Sequence, residues 1–499
     1  MRFLFFILMQ TALWSATLHL STSSNPARLN PLIATDTASS SIAGFIFNAL
    51  VKYDETGQKI IGDLAESYRY VTPTEIEFKL HKGIRWHDGA PFTAKDVVFT
   101  YELIRSPKTV TPYASDFRVV ESVRAIDEYT VRVKYTKPYF KALEIWMMGI
   151  VPEHILRNEA DIMGSRFNTH PIGTGPYVLK TLEFSKQIEL NANPSYFERK
   201  PKIDRIVFHI IADPMTRFLM LKAGEIDVDT LDPMQYERQV GASFQERFKT
   251  LELPSHGYTY LGFNLRLTKF KDPRVRQALS LAVDRKALID LLFLNHGKVC
   301  TGPFLPGSKG FNTAVSAPTA DLVRAKALLK EAGYDERHPL SFEIATSNSN
   351  AIRPYAAEIL QQQLAKVGVK VTLRIIEWQA FLNTVVFPRK FETVLLGWSL
   401  SLTPDPYALW HSDSDVPGGF NLVGYHSALT DRLIETMEQS IDPETTARYQ
   451  REIFAEIVKD NPYLFLVIPN EINVYGKTIH GIKPTINGIW YDYIDWKKE

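Results

Sequence analysis

The chain has 499 residues, several times the roughly 100–200 residues of a typical domain, so two or three structural units with substantial cores are expected. Hydrophobic residues make up 45% of the chain and charged residues 23%, which excludes a disordered or fibrous protein. The 57 basic and 56 acidic residues leave a formal charge of +1. A globally basic surface for nucleic acid or anionic lipid is therefore excluded.

The N-terminus has the pattern of a secretory signal peptide. Arg2 precedes an apolar stretch over residues 3–13, and small residues follow at Ser15 and Ala16. A positive charge, an apolar run of this length and a small-residue cleavage site are the three parts of such a signal, and the run is too short to span a bilayer. We predict a signal peptide over residues 1–16 and a soluble mature protein, with a buried N-terminal strand as the alternative.

Cys300 is the only cysteine in the chain. It can form no intramolecular disulfide, and because no cysteine follows the predicted signal, no lipid anchor is expected. These features predict a protein that diffuses freely in a bacterial periplasm. We expect the thiol to be a small buried group rather than a catalytic nucleophile, which would need a nearby base and a lowered pKa.

The first half of the chain is predicted to be rich in strands. The segment after the signal alternates like a strand and leads into Ser21, Thr22 and Ser23, a loop that either holds a polar ligand or merely turns. Residues 64–80 and 129–135 alternate between apolar and polar side chains with period two. This period predicts antiparallel strands with one buried face.

Helix starts are marked by side chains that can cap them. Thr93 followed by Asp96 resembles a capping box, and Asp272–Pro273 places an N-cap before a first-turn proline, with a helical pattern that continues toward Leu294. Later helices are predicted over 319–332, 352–367, 428–438 and 443–459, and strands over 341–346, 369–376 and 391–398. A strand, a helix and a strand in succession predict a parallel sheet in the second half.

The sequence contains no convincing catalytic motif. It lacks His-Glu-x-x-His, Cys-x-x-Cys and Gly-x-Ser-x-Gly, which would indicate a zinc site or a nucleophilic serine. The paired acids Asp227 and Asp229 are predicted to be ordinary surface residues, and His411 and His426 are the best metal-binding candidates. A secreted protein with many aromatic residues and no catalytic motif indicates binding rather than catalysis, with no cofactor.

One long segment resembles a known family. Residues 78–99, FKLHKGIRWHDGAPFTAKDVVF, are similar to the signature of family 5 extracellular solute-binding proteins, the dipeptide, oligopeptide and nickel receptors of bacterial ABC importers. Five further segments follow the family's order: LAESY at 64–68, GTGPY at 173–177, NPSYF at 193–197, KAGEID at 222–227 and DPRVRQA at 272–278. The similarity spans essentially the whole mature chain.

The resemblance implies an α/β, two-lobe periplasmic binding protein fold of the large, three-domain type, with a ligand cleft between the lobes. The expected core domain of lobe 1 combines residues 17–47, 165–259 and 465–499. The expected extra domain of lobe 1 covers 48–164 and includes the signature, and lobe 2 covers 260–464. We expect the signature to shape a corner between a strand and a turn rather than to contact the ligand.

The resemblance also implies where a ligand binds. Trp378 lies in a segment similar to one that lines the family's pocket, and Trp398 ends a predicted strand at which peptide-binding relatives pair with an extended ligand. Well-known receptors hold the ligand's α-ammonium with an Asp where this chain has Ser401, so Asp405 is either its substitute or part of an Asp-Pro turn. Two alternatives stay open, namely that another residue meets the ammonium or that the ligand has none. The expected ligand-binding residues are Ser21, Thr22, Ser23, Tyr113, Trp378, Trp398, Ser399, Ser401, Asp405 and Tyr425.

The implied function is that of a monomeric, non-enzymatic receptor that captures a peptide by closing two lobes and delivers it to the permease subunits of an ABC transporter. One alternative keeps the fold and binds nickel through a small chelator, which requires His411 or His426 to face the cleft. Another is a secreted hydrolase acting in the cleft. A third is a receptor that reports its ligand to a membrane partner.

Overall fold

The computed structural model describes residues 16–499 except 115, 349, 351 and 487. The predicted signal peptide, apart from its last residue, lies outside the described residues. Among the residues that are described, no helix combines the length and the apolar character needed to cross a bilayer.

The described chain contains both strands and helices, with runs of consecutive strands in its first half. The strands are β1 Thr17–Thr22, β2 Val51–Tyr53, β3 Ile60–Gly62, β4 Ala65–Thr72, β5 Glu75–Leu80, β6 Val120–Asp127, β7 Thr130–Tyr135, β8 Tyr177–Glu183, β9 Gln187–Ala192, β10 Arg205–Ile210, β11 Val228–Leu231, β12 Phe248–Pro254, β13 Gly257–Phe263, β14 Gly297–Val299, β15 Ser341–Ser347, β16 Lys370–Ile376, β17 Thr393–Ser399, β18 Tyr463–Gly476, β19 Ile479–His480 and β20 Lys497–Lys498. The α-helices are α1 Thr37–Ile46, α2 Ala94–Arg105, α3 Glu153–Leu156, α4 Pro214–Ala223, α5 Pro233–Gln239, α6 Ala242–Arg247, α7 Thr268–Lys271, α8 Pro273–Ala282, α9 Arg285–Leu292, α10 Leu322–Glu331, α11 Ile352–Ala365, α12 Trp378–Phe381, α13 Tyr407–Trp410, α14 Ala428–Glu438 and α15 Pro443–Asp460.

The first lobe contains two four-stranded sheets. One has the order β1-β10-β9-β8, in which β1 and β10 are parallel and the other pairs are antiparallel. The other has the order β4-β5-β7-β6 and is antiparallel throughout, which confirms the prediction from period-two alternation. We call the part of the chain around this second sheet, residues 48–164, the extra domain, a range that is itself a prediction.

An eight-stranded sheet runs through the second lobe and continues into lobe 1, because β11, β12 and most of β18 fall within the predicted core domain of lobe 1. Its main path is β11-β18-β13-β17-β15-β16, and β12 and β14 also pair with β18. Strand β15 is parallel to both β16 and β17, and α11 connects β15 to β16, so the predicted parallel unit is confirmed. Helices α14 and α15 occupy the predicted ranges closely, because Ser427 and Asp442 cap their first turns.

The helix predicted to continue past α8 is broken, so that prediction was wrong. Helix α8 ends at Ala282, and Asp284 caps a separate helix, α9. The guanidinium of the buried Arg285 donates hydrogen bonds to the carbonyl oxygens of Ser280 (3.1 Å) and Phe465 (2.7 Å). Burying this cation requires those acceptors, and the break in the helix supplies one of them.

Two adjacent segments run between the two parts of the fold. Strand β12 ends at Pro254 and β13 begins at Gly257, and both pair with the 14-residue strand β18. Strand β18 pairs with β13 near its start and with β11 and β12 further along. The domain boundaries near residues 260 and 465 remain a prediction, and these paired strands are the connections that a hinge would use.

The signature segment joins the extra domain to the core of lobe 1. Trp86 is buried, and the imidazole of His87 bridges two turns. Its Nε2–H donates to the carbonyl oxygen of Gly175 (3.0 Å), while its Nδ1 accepts the N–H of Gly173 (3.2 Å). Because Nδ1 must be unprotonated to accept, this arrangement requires the neutral imidazole.

Protonation of His87 is therefore expected to destabilise the fold. Burial lowers the pKa of His87, against the opposing effects of the Gly175 carbonyl and Asp88. The unfolded chain then binds more protons than the folded chain once the pH falls below about 6.5, so this contribution to stability is complete above that pH and is lost below it. Between pH 7 and pH 5 we expect the unfolding temperature to fall further in the wild type than in His87→Gln.

Circular dichroism melts across that pH range measure this effect. His338→Gln is the matched control, because the His338 side chain is mostly exposed and should leave the wild-type pH slope unchanged. Equal slopes for wild type and His87→Gln would show that the His87 bridge does not depend on the neutral imidazole.

Candidate functional site

A cavity of about 420 Å³ opens on the first-lobe side of the boundary between the lobes. Its walls combine aromatic rings with flexible thioether side chains. They include Phe47, Tyr53, Tyr113, Met147, Met148 and Tyr491. Aromatic residues provide flat apolar surface with a polar edge, and methionine adapts to different shapes, so these walls suit apolar groups of varied size.

The buried carboxylate that lines this cavity already has hydrogen-bond partners within the first lobe. The buried carboxylate of Asp63 accepts hydrogen bonds from the Asn48 side chain (3.0 Å) and from the backbone N–H of Ala49 (3.0 Å). Burial raises the pKa of Asp63, while the ammonium of Lys52, 3.7 Å away, lowers it. Asp63 therefore shapes the cavity and leaves recognition of a ligand's charge to other groups.

A loop of the second lobe closes over the rim of the cavity. The hydroxyl groups of Tyr53 and Thr403 are 3.3 Å apart, and the hydroxyl of Tyr139 donates to a carboxylate oxygen of Asp405 (3.1 Å). The other carboxylate oxygen of Asp405 accepts the backbone N–H of Tyr407 (2.9 Å). Asp405 thus lies between the lobes, held from both sides.

Four charged residues of the extra domain, Asp116, Arg118, Lys141 and Glu144, interact electrostatically with Asp405 of the second lobe, and we call this group the charged chamber. Burial raises the pKa of Asp116, against the opposing effect of Lys141, and the pKa of Glu144 is raised in the same way. Burial alone would lower the pKa of Lys141, but Asp116, Asp405 and Glu144 together raise it. Three carboxyl groups thus surround two cations, Lys141 and Arg118, which leaves one acidic group in excess to pair with a cationic group of a ligand.

The family of this chain is shown by sequence comparison. The model of the bacterial extracellular solute-binding proteins, family 5, matches residues 59–420. The chain belongs to this family. Its members are binding proteins rather than enzymes.

Similar proteins cover nearly the full length of the chain. The oligopeptide-binding protein AppA of Bacillus subtilis is 31% identical over 480 residues, covering 92% of this chain and 87% of AppA. The structure of AppA in complex with a nonapeptide has a TM-score of 0.87 at 30% identity, covering 97% of this chain and 99% of that one. NikZ of Campylobacter jejuni, in complex with Ni(L-His), has a TM-score of 0.86 at 27% identity and covers 97% and 100%.

Trp398 and Trp378, two of the residues expected from the family resemblance, are half-buried in the second lobe. The Nε1–H of Trp398 donates to the hydroxyl of Tyr463 (3.3 Å), and its ring is stacked on Tyr260 with 6.1 Å between centroids. Trp378 packs against Phe381 in the same cluster of side chains. Both rings are therefore fixed in place, each with part of its surface accessible.

Strand β17 provides an edge beside Trp398. Its whole length pairs with β13, whereas in the described residues β15 pairs only with Thr393 and Val394. The other side of β17 from Leu396 to Ser399 therefore has no strand partner in the described part of the sheet. Ser399 and, just beyond the strand, Ser401 are exposed.

Four of the predicted binding residues lie away from the charged chamber, and three of them have hydrogen-bond partners of their own. The hydroxyl of Ser21 donates to Asp229 (3.3 Å) and that of Thr22 to the carbonyl of Ser24 (3.3 Å), while Ser23 is exposed. Tyr425 is buried in the second lobe, and its hydroxyl donates to Asp460 (2.7 Å). Tyr113 is the predicted first-lobe residue that does line the cavity.

The two histidines predicted as metal-binding candidates lie in different surroundings and have different partners. His411 is buried with its ring stacked on Tyr407 at 4.2 Å, and its Nδ1 accepts the N–H of Asp413 (3.1 Å). His426 is near the surface, where its Nε2 pairs with Asp415 (3.0 Å). Neither histidine lines the cavity, and the described residues contain no group of three His, Cys, Asp or Glu side chains able to hold a metal ion. The nickel alternative is not favoured by relatives such as AppA, which is named for oligopeptide binding.

Cys300 is buried and free, as predicted. Burial raises the pKa of its thiol to about 12, which keeps it protonated and unreactive at neutral pH.

Proposed function

We propose that this protein captures a peptide between its two lobes and delivers it, unmodified, to the permease subunits of an ABC transporter. The observation that carries this proposal is the charged chamber around Asp405, which lies between the lobes beside an adaptable, mostly apolar cavity. The oligopeptide-binding name of AppA and its complex with a nonapeptide support the same ligand class.

The chamber offers a site for the α-ammonium of the peptide. Asp405 is the carboxylate on the second lobe, and Asp116 faces it from the extra domain. A cation placed between them relieves their mutual repulsion and gains charge-assisted hydrogen bonds. In this proposal Asp405 pairs with the α-ammonium, which the uncharged side chain of Ser401 cannot do.

The open side of β17 offers a site for the peptide backbone. An extended peptide that adds to this edge binds through N–H and C=O groups that every amino acid has. Trp398 and the cavity walls then contact side chains without requiring a particular sequence. This combination favours a receptor for peptides of mixed sequence.

Closure in this proposal is a hinge movement about the connections β12–β13 and β18, with domain boundaries near residues 260 and 465. Ligand contacts with both lobes stabilise the closed form. We further propose that the protein acts as a monomer in the periplasm after its signal peptide is removed.

Native mass spectrometry of protein purified from its host tests the proposed ligand. We expect bound peptides of mixed sequence, and calorimetry with those peptides should then give saturable binding without cleavage. Binding of a nickel complex but of no peptide would contradict the proposal, and hydrolysis of a bound peptide would support an enzyme instead.

A further inference from the structure

A buried carboxylate of the second lobe pairs with two cations of the extra domain. Glu438 ends helix α14 and is 0% exposed. One of its carboxylate oxygens accepts a hydrogen bond from the guanidinium of Arg118, and the other pairs with the ammonium of Lys137 at 3.3 Å. Both cations remain partly exposed, so the pairing covers the carboxylate from the side of the extra domain.

The backbone of the two lobes also meets at this point. The N–H of Phe140 donates to the carbonyl oxygen of Glu438 at 3.0 Å. The ring of Phe140 packs against the core of lobe 1 and against a cluster of the second lobe. Glu438 is therefore joined to the extra domain through its side chain and its main chain.

Because Glu438 belongs to the second lobe and its partners to the extra domain, these contacts would be lost on separation of the lobes. Separating the lobes exposes Glu438, Arg118 and Lys137 to water, which solvates each charge. In the closed form the carboxylate is removed from water, and its two cations compensate the desolvation. Removing one member of such a group leaves an uncompensated charge in the closed form alone, so the effect falls on the equilibrium between open and closed.

We propose that Arg118, Lys137 and Glu438 form a latch that favours the closed form before any ligand binds and thereby sets the affinity for every ligand. This inference rests on the proposed function for its ligand, but the latch itself acts on the unliganded protein. A receptor whose binding-competent form is only a fraction of the population has an apparent Kd equal to the intrinsic Kd divided by that fraction. Weakening the latch therefore raises Kd by the factor by which closure becomes rarer.

The latch lies next to the proposed ligand site. The guanidinium of Arg118 lies over the ring of Tyr407, 4.0 Å from its centroid. The backbone N–H of the same tyrosine donates to Asp405. Tyr407 thus contacts both the latch and the charged chamber, so closure at the latch and completion of the chamber occur together.

Glu438→Gln tests the latch, since it keeps the shape of the side chain and removes its charge. Fluorescent dyes on cysteines introduced at Thr72 and Glu336, both exposed and on opposite sides of the boundary, report the distance between the lobes. Cys300 is buried and should remain unlabelled. Without ligand, we expect the closed population of E438Q to fall at least several-fold below that of the wild type.

Calorimetry should then show the same fold-increase in Kd for every peptide with a blocked amine, whereas peptides with a free amine also respond to the loss of a charge close to Asp405. Glu121→Gln is the control: Glu121 pairs with Lys134 on the exposed surface of the extra domain, and its loss should change neither the distance nor Kd. An unchanged lobe distance in folded E438Q would overturn the latch.

The latch can still be tested if the variant does not fold or if the wild type binds no peptide. If E438Q does not fold, Lys137→Gln, whose side chain is half exposed, should give a smaller shift in the same direction, and no shift would overturn the latch. If no peptide binds the wild type, the proposed function fails while the distance measurement on unliganded protein still decides the latch.

Discussion

Asp405→Asn is expected to weaken peptide binding by about 10- to 100-fold, because a hydrogen bond to a charged group contributes about 1.5–3 kcal/mol. Asparagine keeps an oxygen for the backbone N–H of Tyr407, so the loop should retain its conformation while losing the charge. The binding constant from calorimetry with a peptide that copurifies with the protein measures the loss.

A peptide with a blocked amine separates recognition of the α-ammonium from the other effects of the substitution. N-acetylation removes the α-ammonium, so an acetylated peptide should bind the wild type more weakly and should lose little further affinity in Asp405→Asn. This cycle isolates the pairing between Asp405 and the ammonium. Asp413→Asn, at an exposed carboxylate on a nearby turn, is the control and should leave both affinities unchanged.

Two results would contradict the assignment. Equal binding of free and acetylated peptides to the wild type would mean that the ammonium is not recognised in the cleft. A full loss on acetylation that persists in Asp405→Asn would assign the ammonium to another carboxylate, with Asp116 as the first candidate because it faces Asp405 in the same chamber.

Local signals explain what the sequence predicted well. The Thr93 capping box and the Asp272–Pro273 start both appear as helix caps, and the period-two segments appear as antiparallel strands. These features depend on residues within a few positions of one another. The end of α8 was missed although Asp284, the cap of α9, is a local signal for it, while the hydrogen bond from Arg285 to the carbonyl of Phe465, 180 positions away, is not visible in the sequence.

The candidate site depends on such distant contacts almost entirely. Tyr53 meets Thr403 across 350 positions, and Tyr139 meets Asp405 across 266. Neither Tyr53 nor Tyr139 has a periodicity or motif that marks it for this place, so the sequence indicated Asp405 and missed its partners. Tyr425 was expected at the ligand site but is buried in the second lobe. The sequence does not distinguish an aromatic loop residue that lines a cleft from one that packs in a core.

The turn at Gly173 to Gly175 carries the second large effect, which is on stability. A Cβ added at Gly173 would lie 1.9 Å from the carbonyl oxygen of Ile46, and one at Gly175 would lie 2.5 Å from the carbonyl carbon of the same residue. The N–H of Gly175 donates to that carbonyl oxygen (2.8 Å), so the turn packs directly on the end of α1. Backbone on both sides leaves no flexible group to move aside.

Gly173→Ala is therefore expected to destabilise the fold by about 1–3 kcal/mol, the usual range for overpacking. It should also disturb the His87 bridge, because His87 bonds both the N–H and the carbonyl of Gly173. Gly44→Ala, within α1 itself, has nothing within 4 Å of the added Cβ and should stabilise by about 0.5–1 kcal/mol through the helix preference for alanine. Urea unfolding of both variants measures the change in the free energy of unfolding, which should be negative for Gly173→Ala and positive for Gly44→Ala. Equal stability of Gly173→Ala and the wild type would show that the turn can move away from α1 without loss of stability.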